Sequence, residues 1–199
     1  MRHRSLALLF LLCLPALALA DAVPGKPAPA FEIKDAHGQV QKLSDYQGKW
    51  LVLEWYNKDC PYVRKHYGSG NMQTLQQRYT SQGVAWLSVI SSAPGKQGYQ
   101  EPMEALDTAK TTKSAALQVL LDTSGTMGKA YGAKTTPHMF VIDPQGTVVY
   151  AGGIDDNDSS NPAVIPTSKN YVSAALDAAL AGQKIATASA RPYGCHVQY

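Results

Sequence analysis

Trp50-Leu51-Val52-Leu53-Glu54-Trp55 leads through Tyr56-Asn57-Lys58-Asp59 into Cys60-Pro61-Tyr62-Val63-Arg64-Lys65-His66. The first six residues are apolar but for one glutamate, and a short run without polar alternation describes a strand covered on both faces. Proline suits the first turn of a helix, where its missing N–H is not needed, so a helix starting at Pro61 puts Cys60 at its positive end. A thiol attacks as its thiolate. The helix terminus and the cations of Lys58, Arg64, Lys65 and His66 favour that anion, with Arg64 one turn along the same face, while Asp59 opposes them. The plainer alternative is a solvated basic turn beside a buried, inert cysteine.

Outward from this stretch, strand and helix patterns alternate. Met72, Leu75 and Tyr79 recur at helical spacing, Val84 to Ile90 is a second apolar strand, and Glu101 to Lys110 holds good helix formers. Gln118 to Leu121 reads as a strand and Thr126 to Tyr131 as a short helix. Met139 to Ile142 and Thr147 to Tyr150 flank Asp143-Pro144-Gln145-Gly146, so they form an antiparallel hairpin. Val172, Ala175, Leu176 and Ala179 mark the apolar face of a last helix, closed by Gly182, and residues 183–199 read as a tail. Upstream, Pro24, Pro27 and Pro29 make an extended entry to a short hairpin turning at Ala36-His37-Gly38.

Residues 1–20 carry two arginines, an apolar stretch and Ala18-Leu19-Ala20, the pattern of a secretory signal cleaved after Ala20. The apolar run is shorter than the roughly 20 residues of a spanning helix, so no membrane insertion is expected after cleavage. Cys13 follows Leu11-Leu12 rather than a small residue, which argues against a lipid anchor. The expected location is the exterior of the cell membrane, a bacterial periplasm. Cleavage removes Arg2 and Arg4, so Lys plus Arg falls from 18 to 16 against 15 acids. That balance gives no electrostatic case for nucleic acid or an anionic membrane surface. The remainder fits one domain, residues 21–182, followed by the tail. Two cysteines remain, Cys60 and Cys195, and an oxidising compartment permits one internal pairing, either structural or redox-active.

The opening Pro24-Gly25-Lys26-Pro27-Ala28-Pro29-Ala30-Phe31, with Leu43-Ser44-Asp45-Tyr46-Gln47-Gly48-Lys49 after the hairpin, resembles the leader of redoxin and thiol-specific antioxidant domains. Asn57-Lys58-Asp59-Cys60-Pro61-Tyr62-Val63, Tyr131-Gly132-Ala133-Lys134-Thr135-Thr136-Pro137 and Pro192-Tyr193-Gly194-Cys195 resemble the peroxiredoxin-like branch. The resemblance implies an α/β, thioredoxin-like fold: a central mixed sheet flanked by helices, with an N-terminal hairpin extension and a C-terminal tail. It also implies an oxidoreductase with antioxidant activity, in which Cys60 attacks a peroxide or a protein disulfide. Cys195 would resolve the product, and a thioredoxin-like reductant would reset the pair without any cofactor.

Glu54 lies six residues before Cys60, the spacing of the buried acid that relays protons in thioredoxins; the alternative is a strand-edge glutamate reaching solvent. A carboxylate in an apolar strand is costly unless paired, protonated or functional. Thr136-Pro137 matches the cis-proline that faces the nucleophile, where the preceding residue's backbone pairs with an incoming peptide or disulfide. With Asn57, Pro61 and Arg64 these form the expected substrate site. The sequence also departs from pattern. Val63 replaces the second cysteine of Cys-x-x-Cys, and Asn57 and Leu53 stand where conventional peroxiredoxins have threonine or serine and proline. Asn57 still offers an amide donor toward a peroxide oxygen.

Two other classes stay open. One is a non-catalytic binding module that grips a peptide along Thr136-Pro137, with Cys60 and Cys195 as a permanent staple. The other is metal handling by Cys60, Cys195 and His196, although copper-handling relatives use cysteines four apart and position 64 is Arg64. No metal is expected. Asp155-Asp156-Asn157-Asp158 lacks the glycine and distal glutamate of a calcium loop and reads as a solvated loop. His37 and His138 stand singly, as a turn residue and a strand-start residue.

Overall fold

Strand β3 (Leu51–Trp55) has all five residues buried and lies in the middle of a five-stranded sheet. In this computed structural model, residues 21–199 are described. The expected signal segment, residues 1–20, lies outside the described residues. The chain first forms a hairpin of β1 (Glu32–Lys34) and β2 (Val40–Lys42). After β3 come α1 (Pro61–Gly68) and α2 (Asn71–Thr80), β4 (Ala85–Ile90), α3 (Pro102–Thr111) and β5 (Gln118–Leu121). The second half holds α4 (Thr126–Tyr131), β6 (Thr135–Thr136), β7 (His138–Ile142), β8 (Val148–Gly152), α5 (Tyr171–Leu180) and β9 (Cys195–His196).

The sheet order is β5-β4-β3-β7-β8. β3, β4 and β5 run parallel, joined by helical crossovers, and β7 and β8 run antiparallel to their neighbours across the tight turn at Asp143-Gly146. This is the thioredoxin-like arrangement. Because successive strand residues face opposite sides, β3 supplies two cores at once. Val52 and Tyr56 join Trp86, Met139 and Val141 under α1, α2 and α5, while Leu51, Leu53 and Trp55 join Leu87, Phe140 and Ile142 over α4 and the N-terminal segment.

Two segments run along the sheet's outer strands. Asp35 bridges to Leu120 on β5, and Ser189 bridges to Ala151 on β8. Beside the second bridge, Gly152 lies so close to Ala190 that a Cβ would overlap the backbone there. The sequence reads residues 183–199 as a loose tail, but the structure folds them back over the molecule. Tyr193 is buried, β9 pairs with β6, Ala93 N–H donates to Gln198 O (2.8 Å), and Tyr199 Oη donates to Ala133 O (2.8 Å). A two-residue strand has no periodicity to announce it, and its partner lies some sixty residues earlier in the chain.

Leu87 pairs with Leu53 in the sheet centre and is fully buried. Leu87→Ala is expected to lower unfolding free energy by about 3 kcal/mol. Urea denaturation measures it, and a loss below about 1 kcal/mol would mean that this core is far looser than described.

Candidate active site

Cys60 caps α1 at its N-terminus in extended geometry (φ −75°, ψ 122°), with Pro61 as the first helical residue. Its carbonyl accepts the Arg64 N–H (2.9 Å), starting the helix, and its own N–H donates to Asn57 O (3.1 Å). The thiol is buried and donates to the Thr136 carbonyl at 3.0 Å. The Thr136–Pro137 bond is cis. Thus β3 delivers the cysteine and the loop into β7 delivers the acceptor, from positions 76 residues apart.

Across the same backbone lies the second thiol. In the β6–β9 pair Thr136 stands opposite Cys195 and Thr135 opposite His196. Gly194, at φ 131°, lies against the Thr136 carbonyl, and a Cβ there would overlap it, so only glycine lets the strand approach this closely. Both cysteines are free, Cys60 buried and Cys195 half-buried. Burial, then the neighbouring Cys60 sulfur through hydrogen bonding and charge, push the Cys195 thiol up to about 12. At neutral pH Cys195 therefore stays protonated.

The polar residues around Cys60 do other work than their spacing suggests. Asn57 is buried, with its side-chain oxygen accepting the Asp59 N–H (2.8 Å) and its amide donating to Gln97 O (3.3 Å). The donor offered toward a peroxide is thus engaged in the turn. Arg64 is exposed and folds back, donating to Lys58 O (3.1 Å) and approaching Asp59 (3.4 Å). Lys58 also pairs with Asp59 (3.1 Å), so both cations are answered locally. Lys65 points away, fully buried, to Asp155 (3.4 Å) and Asn157 O (2.9 Å). Desolvation, and to a lesser extent Lys65, push His66 down to about 4 against the opposing pull of Asp155, so it is neutral at pH 7.

Asp155 therefore belongs to the interior, contrary to the solvated-loop expectation, because a buried lysine requires a buried anion. Asp156 accepts the Lys169 N–H (2.9 Å) and Asp158 pairs with Arg191 (2.7 Å). Among the described residues no set of three His, Cys, Asp or Glu side chains gathers as a metal site. His138, pushed down to about 3 chiefly by burial, accepts the Lys134 N–H and lies against Phe140. The Thr136 hydroxyl is buried and has no partner among the described residues.

Glu54 is wholly buried on the α1 side of the sheet. Trp86 Nε1 (2.8 Å) and Gln76 Nε2 (3.1 Å) donate to one carboxylate oxygen and Tyr67 Oη (2.9 Å) to the other. Burial raises its pKa to about 7 against these three stabilising donors. Tyr67 lies on α1, the helix that Cys60 begins. None of the partners of Glu54 announces itself in sequence; the signal was the carboxylate alone.

The AhpC/TSA family pattern matches residues 24–151. The thiol-disulfide oxidoreductase ResA of Bacillus subtilis (strain 168) is 27% identical over 150 residues, spanning 71% of this chain and 78% of that one. The peroxiredoxin Bcp of the same organism is 54% identical over 35 residues, 18% of this chain and 22% of its own. Among solved structures, a conserved protein of Geobacillus kaustophilus superposes with a TM-score of 0.75 at 25% identity, covering 89% of this chain and 93% of its own.

A carboxyl whose pKa rises from 4.5 unfolded to about 7 folded holds a proton that the unfolded chain has released, so its contribution to stability falls as pH rises through that window. His66 and His138, both lowered, act in the opposite sense, so a difference measurement is needed. Glu54→Gln, which keeps an acceptor for Trp86 and cannot ionise, is expected to gain about 3 kcal/mol relative to wild type between pH 4.5 and pH 7. Parallel unfolding curves for the two proteins across this range would refute the assignment.

Proposed function

The chain belongs to the AhpC/TSA family, and from that premise we propose that it is a two-cysteine thiol redox enzyme acting on hydroperoxides. The observation that carries the reading is the register of β6 and β9, which sets Cys195 opposite Thr136, the residue whose carbonyl accepts the Cys60 thiol.

In this scheme the Cys60 thiolate attacks a hydroperoxide oxygen. An S–O bond forms, the O–O bond breaks, and water or an alcohol leaves with a proton, giving a sulfenic acid. The Cys195 sulfur then attacks Cys60. The S–S bond forms as the S–O bond breaks, and water departs with the Cys195 proton. A thioredoxin-like dithiol supplies two electrons and two protons to restore both thiols and becomes a disulfide itself. Glu54, poised near neutrality, serves as the internal proton acceptor, with Tyr67 linking it to α1. Pro61 and Thr136-Pro137 shape the approach to Cys60. Asn57 and Arg64 hold the turn that presents the cysteine.

A protein disulfide is the other substrate class for the same thiol. It would have to enter along the backbone edge of Thr135-Thr136, which β9 occupies. A peptide-gripping module needs that same edge. Small hydroperoxides do not, which favours them. The expected signal on residues 1–20 places this chemistry outside the cell membrane, in an oxidising compartment, and among the described residues no helix is long and apolar enough to cross a membrane.

Stopped-flow oxidation of the reduced protein by hydrogen peroxide, with the product mapped by mass spectrometry, tests the scheme. Wild type is expected to consume peroxide faster than free cysteine and to form one Cys60–Cys195 disulfide per peroxide. Cys60→Ser should abolish consumption, and Cys195→Ser should stop at the sulfenic acid. A wild-type rate no better than free cysteine would remove the peroxidase reading.

A further inference from the structure

The segment that carries Cys195 is fastened to the helix that carries Cys60 by a buried polar chain. Asn71 Nδ2 donates to His66 Nδ1 (2.8 Å), which leaves the imidazole proton on Nε2 to meet Tyr193 Oη (3.1 Å). The Tyr193 hydroxyl in turn donates to Asp155 Oδ1. The other oxygen of Asp155 faces Lys65, whose ammonium also lies over the Tyr193 ring at 5.3 Å. Tyr62 packs edge-on against the Tyr193 ring, with centroids 5.8 Å apart. Three α1 residues, Tyr62, Lys65 and His66, thus hold a tyrosine that stands two positions before Cys195, and Gly194 between them lies on Thr136.

A buried ammonium and carboxylate are costly to desolvate, and a well-packed apolar cluster would hold two segments together as strongly. What the polar chain adds is directionality. Each bond has a defined donor and acceptor, so the Tyr193 side chain has one seat relative to α1. That seat lies two residues before Cys195, where β9 begins.

We propose that Tyr193, held by Asp155, Lys65 and His66, is a positioning residue for the resolving thiol, acting as a latch that keeps Cys195 seated on Cys60 in the reduced protein. The inference rests on the two-cysteine reading, though not on the peroxide part of it. With the latch closed, the sulfenic acid is captured at once, since its partner is already in place: the S–S bond forms, the S–O bond breaks, and water leaves with the Cys195 proton. With the latch open, the same bonds form only after the strand finds its register, and Cys60 stays exposed to a second hydroperoxide.

The test uses Tyr193→Phe, which keeps the ring and removes the hydroxyl, and Gly194→Ala, which blocks the seating of β9 by a different route. Each reduced protein is equilibrated with glutathione buffers, and the Cys60–Cys195 disulfide is quantified by alkylation; separately, one equivalent of hydrogen peroxide is added with dimedone present. Tyr193→Phe is expected to lower the effective concentration of Cys195 at Cys60 roughly tenfold, since a hydrogen bond to a charged group is lost. Disulfide closure should slow by a similar factor, and the dimedone adduct on Cys60 should rise while the first oxidation is undiminished. A role confined to stability would lower the unfolding temperature and leave the glutathione equilibrium where it was. Wild-type equilibrium and closure in both variants would overturn the latch. If wild type ignores peroxide yet the glutathione equilibrium still shifts tenfold in Tyr193→Phe, the latch stands and only the peroxidase reading falls.

Discussion

The Thr136 peptide serves two neighbours at once, and the end of the molecule that carries the thiols is built around this double use. On one side its carbonyl takes the Cys60 thiol; on the other, its strand edge takes β9. A backbone group at the end of a sheet must find a partner or water. Here the partner is the protein's own C-terminal segment. The two sulfurs meet because both are tied to the same two residues of backbone. β3, the β6 loop and the last residues of the chain converge on that point from three distant places in the sequence.

Burying charge in so small a domain calls for some compensation, and two different ones are present. Glu54 stands alone among neutral donors, and its environment settles the matter by moving its protonation into the neutral range. Lys65 and Asp155 compensate each other, and the hydrogen bonds to Asn157 and Tyr193 occupy their remaining capacity. The first leaves a group able to exchange a proton near pH 7. The second leaves a fixed geometry. Glu54 and Asp155 thus differ in whether a countercharge lies beside them.

Local features were legible in the sequence and distant pairings were not. Trp50 to Trp55 declared a central strand because a covered strand has no polar alternation, and Cys60-Pro61 declared a helix start because proline belongs there. Glu54 was visible as an anomaly, though Trp86 and Gln76, its partners, were not. The sequence alone points Asn57 and Arg64 toward the cysteine, yet the turn closes on itself and claims both side chains, because Asp59 and the Gln97-Gly98 loop lie within hydrogen-bond reach. Lys65 and Asp155 are 90 residues apart, and no spacing rule connects them. A two-residue strand and an isolated tyrosine carry no periodic signal, so the sequence alone suggests a loose tail.

The bridges at the sheet's margins have a consequence for the protein among its own copies. An outer strand that displays its unpaired N–H and C=O groups is a template for another chain. Here the N-terminal hairpin lies on β5 through Asp35, and the returning C-terminal segment lies on β8 through Ser189. The two ends of the polypeptide act as selvedges, bound along the margins of the fabric so that it does not catch on its neighbour. The same returning segment goes on to carry Cys195, so a chain that has seated its second thiol has also finished its hem.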